Sequence, residues 1–83
     1  MDVIYLLNPS KTHLERAYNM QHYHSKIICV DRDKDVHAME LVIMMAQKNL
    51  IKDFTYVAGQ MKIGLDLIEA SIKENRGTMY LWL

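Results

Sequence analysis

The sequence predicts a minimal Rossmann-like three-layer α/β domain spanning residues 1–83, with about four mainly parallel strands and three helices. Three observations carry this. Short β-branched and aromatic runs such as Val3-Ile4-Tyr5-Leu6-Leu7 and Ile27-Ile28-Cys29-Val30 are apolar without alternation, which is how strands read when both faces of a parallel sheet are covered. Between them lie segments whose apolar residues recur at helical spacing. Turn-forming residues stand at the junctions, Asn8-Pro9-Ser10 and Gly59 among them.

The first strand, Val3 to Leu7, is stopped by Asn8-Pro9-Ser10. Thr12-His13-Leu14-Glu15 has the form of a capping box, and Leu14, Ala17, Tyr18 and Gln21 then carry a helix to about Tyr23. A second strand, Lys26 to Val30, closes at Asp31-Arg32-Asp33-Lys34-Asp35, where Asp33 or Asp35 caps the next helix. That helix runs through Val36, Met39, the stretch Leu41 to Ala46, and Leu50. Its apolar residues cover almost the whole circumference, so it must be buried on more than one side, and the sequence predicts a homodimer contact there.

Phe54-Thr55-Tyr56-Val57 admits two readings, because Leu50, Phe54, Val57, Met61, Leu65, Ile68 and Ile72 also form one helical stripe. The β-prone cluster followed by Gly59 favours a strand. From Met61 the pattern Ile63, Leu65, Leu67, Ile68, Ile72 is helical and closes at Asn75-Arg76-Gly77, with Gly77 as the glycine after the helix end. Thr78 to Leu83 is the last strand.

Ten basic and ten acidic side chains leave no formal net charge, which disfavours a general DNA- or RNA-coating protein. With 51% hydrophobic and 24% charged residues the chain has the balance of a folded globule. A single cysteine, Cys29, excludes an internal disulfide and a cysteine zinc site, and points to the cytoplasm. The longest apolar run, Leu41 to Ala46, is too short to span a membrane. The start, Met1-Asp2-Val3, lacks the basic region of a leader, so the mature chain is expected to begin there.

In open parallel sheets, ligands bind outside the carboxyl ends of the strands. Three loops leave those ends: 8–12, 31–35 and 59–62. If the third strand lay beside the first, the first and third loops would together offer Asn8, Ser10, Lys11, Thr12, Gly59, Gln60 and Lys62, a polar and partly cationic rim. The third helix lacks a side-chain cap residue at Gly59-Gln60-Met61-Lys62, which leaves its first N–H groups open to a phosphate, or to water with Gly59 as a sufficient cap. No Gly-x-Gly-x-x-Gly or Walker A motif is present, which disfavours dinucleotide and NTPase roles. His13 is a candidate acid or base beside that rim. His22-Tyr23-His24 has ligand-like spacing only on a strand, and it falls at a helix end, so no metal and no cofactor are expected.

Leu6-Leu7-Asn8-Pro9-Ser10-Lys11-Thr12 after the first strand, and Asp53-Phe54-Thr55-Tyr56-Val57-Ala58-Gly59-Gln60 before a helix that ends in Asn75-Arg76-Gly77 and a closing strand, resemble the small single-domain CRISPR-associated proteins related to CARF domains. That family consists of Rossmann-like dimers that sense or degrade cyclic oligoadenylates in antiviral defence. The resemblance covers about the first fifteen and last thirty residues, and the middle of this chain is one strand shorter. It implies a two-fold cyclic oligonucleotide on the dimer axis, with Ser10, Lys11 and Thr12 of each chain facing phosphates and Gly59 to Lys62 closing beneath. As a ring nuclease such a protein needs no metal, since a ribose 2′-hydroxyl attacks its own phosphate. Lys11 and Lys62 would then neutralise charge, Ser10 and Asn8 orient the ligand, and His13 shuttle a proton. Binding without cleavage would use the same residues.

A second function class fits the composition equally: a small interaction or inhibitor protein of phage or plasmid type that docks on a host protein through the second helix or the Tyr80-Leu81-Trp82-Leu83 end. A polar strand-end pocket would favour the nucleotide reading, and an exposed apolar patch the partner reading.

Overall fold

Four strands, β1 (Asp2–Leu7), β2 (Lys26–Asp31), β3 (Asp53–Ala58) and β4 (Arg76–Leu81), form one sheet in the order β3-β2-β1-β4, every pair parallel. The computed structural model describes residues 2–20, 24–34, 36–48 and 51–81. Three helices connect the strands: α1 (Lys11–Met20), α2 (Val36–Lys48) and α3 (Met61–Glu74). This is the α/β, Rossmann-like architecture the sequence predicts, and residues 53–58 are a strand rather than continued helix.

The chain steps from β1 to β2 to β3 in one direction and then returns past β1 to β4. Right-handed crossovers therefore put α1 and α2 on one face and α3 on the other. The two cores show this division. Ile4, Leu6, Ile27 and Cys29 pack with Leu14 and Ala17 of α1 and with Ala38, Val42, Met45 and Ala46 of α2. On the opposite face, Val3, Tyr5, Ile28 and Val30 pack with Ile68 of α3. β1 and β2 are apolar at consecutive positions because both of their faces are covered.

Several expectations are corrected by local geometry. The N-cap of α1 is Ser10, not Thr12: the Ser10 hydroxyl oxygen accepts the backbone N–H of His13 at 3.2 Å, and the helix begins at Lys11. The predicted helix end near Tyr23 lies outside the described residues, as do Leu50, Trp82 and Leu83. α2 is not bare around its circumference. Ala38, Val42, Met45 and Ala46 are buried, Met39, Leu41 and Ile43 are half-buried, and among the described residues of the helix Met44 is the large apolar one left exposed. The sheet and α1 thus cover much of the apolar surface that the sequence assigned to a dimer contact.

Gly77 does not end α3. Asn75 caps the helix in an extended conformation, its backbone N–H donating to the Ser71 carbonyl at 2.9 Å, and β4 begins at Arg76. Gly77 is required by a close approach instead: a Cβ there would collide with the Tyr5 ring and the Val3 carbonyl of the neighbouring strand. Gly64 has a similar role on α3, where a Cβ would strike the Val30 side chain, so the helix backbone sits close on β2.

Candidate functional site

At the carboxyl ends of β1 and β2 the backbone of each strand is tied to the other's loop. The Asn8 N–H donates to the Val30 carbonyl at 2.8 Å, and the Asn8 side-chain carbonyl accepts the Arg32 N–H at 2.5 Å. Asn8 achieves this at φ 43°, a left-handed conformation that asparagine tolerates better than other side chains. The third loop joins from the far side, with the Gly59 N–H donating to the Asp31 carbonyl at 2.9 Å. Gly59 has φ 72°, and no atom stands within 4 Å of its missing Cβ, so backbone conformation is what requires glycine here.

These loops shape a cleft of about 400 Å³ lined by Asn8, Pro9, Ser10, Lys11, Asp31, Arg32 and Asp33. Its floor is the Ser10 end of α1, where the first-turn N–H groups and the helix dipole favour an anion. Ser10 Oγ lies 2.6 Å from His13 Nδ1, so the capping hydroxyl also fixes the half-buried imidazole. The opposite wall is Asp31, a carboxylate only 6% exposed at the end of β2, which accepts the Tyr56 hydroxyl proton at 2.5 Å. Arg32 and Asp33 stand on the rim, with 3.9 Å between Nε and the carboxylate, an exposed pair that contributes little to stability.

A larger, more apolar groove of about 500 Å³ lies nearby, between α1 and α2. Pro9 and Lys11 line both. Leu14, Ala38, Leu41 and Met44 make up the apolar part of the groove, with His37 and Glu40 on its polar side.

The structure brings Asn8, Ser10 and Lys11 together and adds Asp31 and Arg32 to them. Thr12 and His13 belong to the adjoining first turn of α1, with Thr12 exposed beside the cleft lining. Gly59, Gln60 and Lys62 do not line this cleft, although the Gly59 N–H is bonded to the Asp31 carbonyl behind it. β3 is separated from β1 by β2, so the premise that the third strand lies beside the first does not hold, and Lys62 belongs to the helix on the other face of the sheet. Gln60 does precede α3 without a side-chain cap, as its sequence predicts. Asp31 was legible as the acidic residue closing the second strand, about twenty residues beyond the first loop, a spacing that has meaning in Rossmann-like folds. Tyr56, twenty-five residues further on in the next strand, carried no signal.

Beneath the cleft, Cys29 is fully buried on β2, and its thiol is pushed well above the usual thiol range by burial and, secondarily, by the Asp31 charge. It is a packing residue and a poor nucleophile. Among the described residues no group of three His, Cys, Asp or Glu side chains is placed to hold a metal ion, and no helix is long and apolar enough to cross a membrane. No protein-family profile, curated protein or solved structure matches this chain.

Proposed function

We propose that the chain binds a phosphate-bearing nucleotide second messenger in the strand-end cleft. The observation that carries this reading is the division of charge within one cleft. The N-terminus of α1, with Ser10 and Lys11, offers donors and positive charge to a phosphate, while the Asp31 carboxylate across the cleft suits a ribose hydroxyl. The apolar groove that opens past Pro9 and Lys11 is the adjoining surface for a flat base. Cyclic oligoadenylates are the specific candidates that the resemblance to CARF-related proteins implies, and a homodimer in the cytoplasm is the assembly and setting it implies. Metal-free cleavage would draw on His13, held by Ser10, and on Lys11 as the neutralising charge.

The test is thermal shift and calorimetric titration of the purified protein against cyclic and linear oligoadenylates and common mononucleotides. A selective shift that Lys11→Ala and Arg32→Ala each weaken about tenfold, with Lys62→Ala near wild type, supports the cleft. Binding that Lys62→Ala abolishes while Lys11→Ala leaves intact relocates the ligand to the start of α3. No shift across the panel removes the nucleotide reading, and product analysis after incubation decides between binding and cleavage.

A second reading has its own observation. Ile63, Leu65, Leu67 and Ile72 of α3 and Met79 of β4 are large apolar side chains left exposed, which is the surface a protein partner requires.

A further inference from the structure

Ser10 does more than cap α1. A cap needs only an oxygen that accepts an N–H of the first turn, and Ser10 Oγ meets that need by accepting the His13 backbone N–H at 3.2 Å. The same oxygen lies 2.6 Å from His13 Nδ1, a contact that capping does not require. In a capping box the side chain at the third helical position reaches back to the backbone N–H of the cap residue. Here that third residue is His13, and its imidazole is at the hydroxyl. An oxygen that accepts a backbone N–H has its own proton to give, and Nδ1 is an acceptor within reach. The pair is a hydroxyl beside its base.

Its surroundings suit an anionic substrate. Ser10 and His13 are half-buried, and Ser10 lines the strand-end cleft together with Lys11 and Arg32, whose charges can offset those of a phosphate. The chain has two other serines. Ser71 is 8% exposed and bonded to the Tyr5 hydroxyl, and Ser25 is exposed ahead of β2. Ser10 is the one placed in the cleft.

We propose that Ser10 is a nucleophile, with His13 as its base, that attacks the phosphorus of a phosphodiester in this cleft; the substrate class rests on the nucleotide reading above. His13 Nδ1 takes the hydroxyl proton as Ser10 Oγ bonds to phosphorus. The bond from phosphorus to the ribose oxygen on the opposite side breaks, and that oxygen takes a proton from solvent. A seryl phosphodiester is left on the chain. Water then attacks the phosphorus opposite Ser10 and loses a proton to solvent, while Oγ departs and recovers its proton from His13. The net reaction is hydrolysis to a free ribose hydroxyl and a terminal phosphate, with configuration at phosphorus retained by two in-line displacements. Attack by the substrate's own 2′-hydroxyl ends in a cyclic phosphate instead, so the two routes differ in product.

The probe is diisopropyl fluorophosphate, which needs no ribose and traps a serine nucleophile as a stable phosphoryl ester with loss of fluoride. Peptide mass spectrometry of the labelled full chain should place one label on Ser10, with Ser25 and Ser71 as internal controls. His13→Asn, checked for folding by its thermal melt, should slow labelling by about a hundredfold or more. A second variant reads the same pair without phosphorus: Ser10→Cys should react with iodoacetamide at least about tenfold faster than Thr12→Cys, which shares the helix end, and His13→Asn should erase the difference. Native Cys29 is buried and does not interfere. Ser10 labelled no faster than Ser25, or labelling indifferent to His13→Asn, overturns the nucleophile. A chain that binds nucleotides while Ser10 stays inert keeps the nucleotide reading and loses this proposal. A reactive Ser10 in a chain that binds no nucleotide keeps the nucleophile and overturns the phosphodiester as its substrate.

Discussion

On one face of the sheet α1 and α2 enclose Ile4, Leu6, Ile27 and Cys29 beneath Val42, Met45 and Ala46, while on the other α3 alone covers Val3, Tyr5, Ile28 and Val30. The difference is one of side-chain size at the contact. α2 meets the sheet with Val42 and Met45, which fill volume, whereas the buried residues of α3 are Gly64, Ile68 and Ser71, which let its backbone approach and leave its larger side chains outside. A helix that packs through small residues contributes less buried apolar area. Stability should therefore reside in the α1–α2 face and adaptable surface in the α3 face.

The comparison is broken or sharpened by substitutions on the two faces, read by denaturant unfolding. Met45→Ala, in the fully buried core under α2, should destabilise by about 3 kcal/mol through lost burial and an unfilled cavity. If that loss is matched by removing an exposed α3 residue, the asymmetry is wrong. Gly77→Ala should cost about 2 kcal/mol, because the new methyl meets the Tyr5 ring and a backbone carbonyl, and the carbonyl cannot rotate away. Tyr5→Phe keeps the ring but leaves the buried Ser71 hydroxyl without the 2.9 Å partner it has now, a loss of about 1–2 kcal/mol. Ser71→Ala in that background should recover part of it, since both polar atoms are then gone. Smallest of all, Ile63→Lys should leave stability within about 0.5 kcal/mol of wild type, as its side chain is 54% exposed.

Glycines show how far the sequence could be read. Gly59 was legible as a turn, because a lone glycine after a β-prone run marks a strand end, and its φ of 72° agrees. Gly77 was misread as a helix terminator because Asn-Arg-Gly after a helical stripe has that form. Its actual reason, a tyrosine ring from a strand more than seventy residues earlier, leaves no local trace. Thr12 and Ser10 differ in the same way: both are cap-forming residues near the predicted helix start, and where the chain left β1 determined that the helix begins at Lys11 with Ser10 as its cap. The apolar circumference of α2 was visible, but whether sheet, α1 or another molecule covered it depended on packing.

Local physics by itself determined the seven elements, their order and the parallel sheet, since apolar runs without alternation and helical spacing are properties of neighbouring residues. The same physics determined that polar loops, Asn8 to Lys11 and Asp31 to Asp33, would leave the strand ends. Strand order was decided only in three dimensions. Placing β2 between β1 and β3 brought Asn8 to Arg32 and Asp31 to Tyr56, and carried Lys62 to the other face. Which strand lies beside which is set by how helices of different bulk share the two faces of a sheet, and that competition among distant residues is not expressed at any one position in the chain.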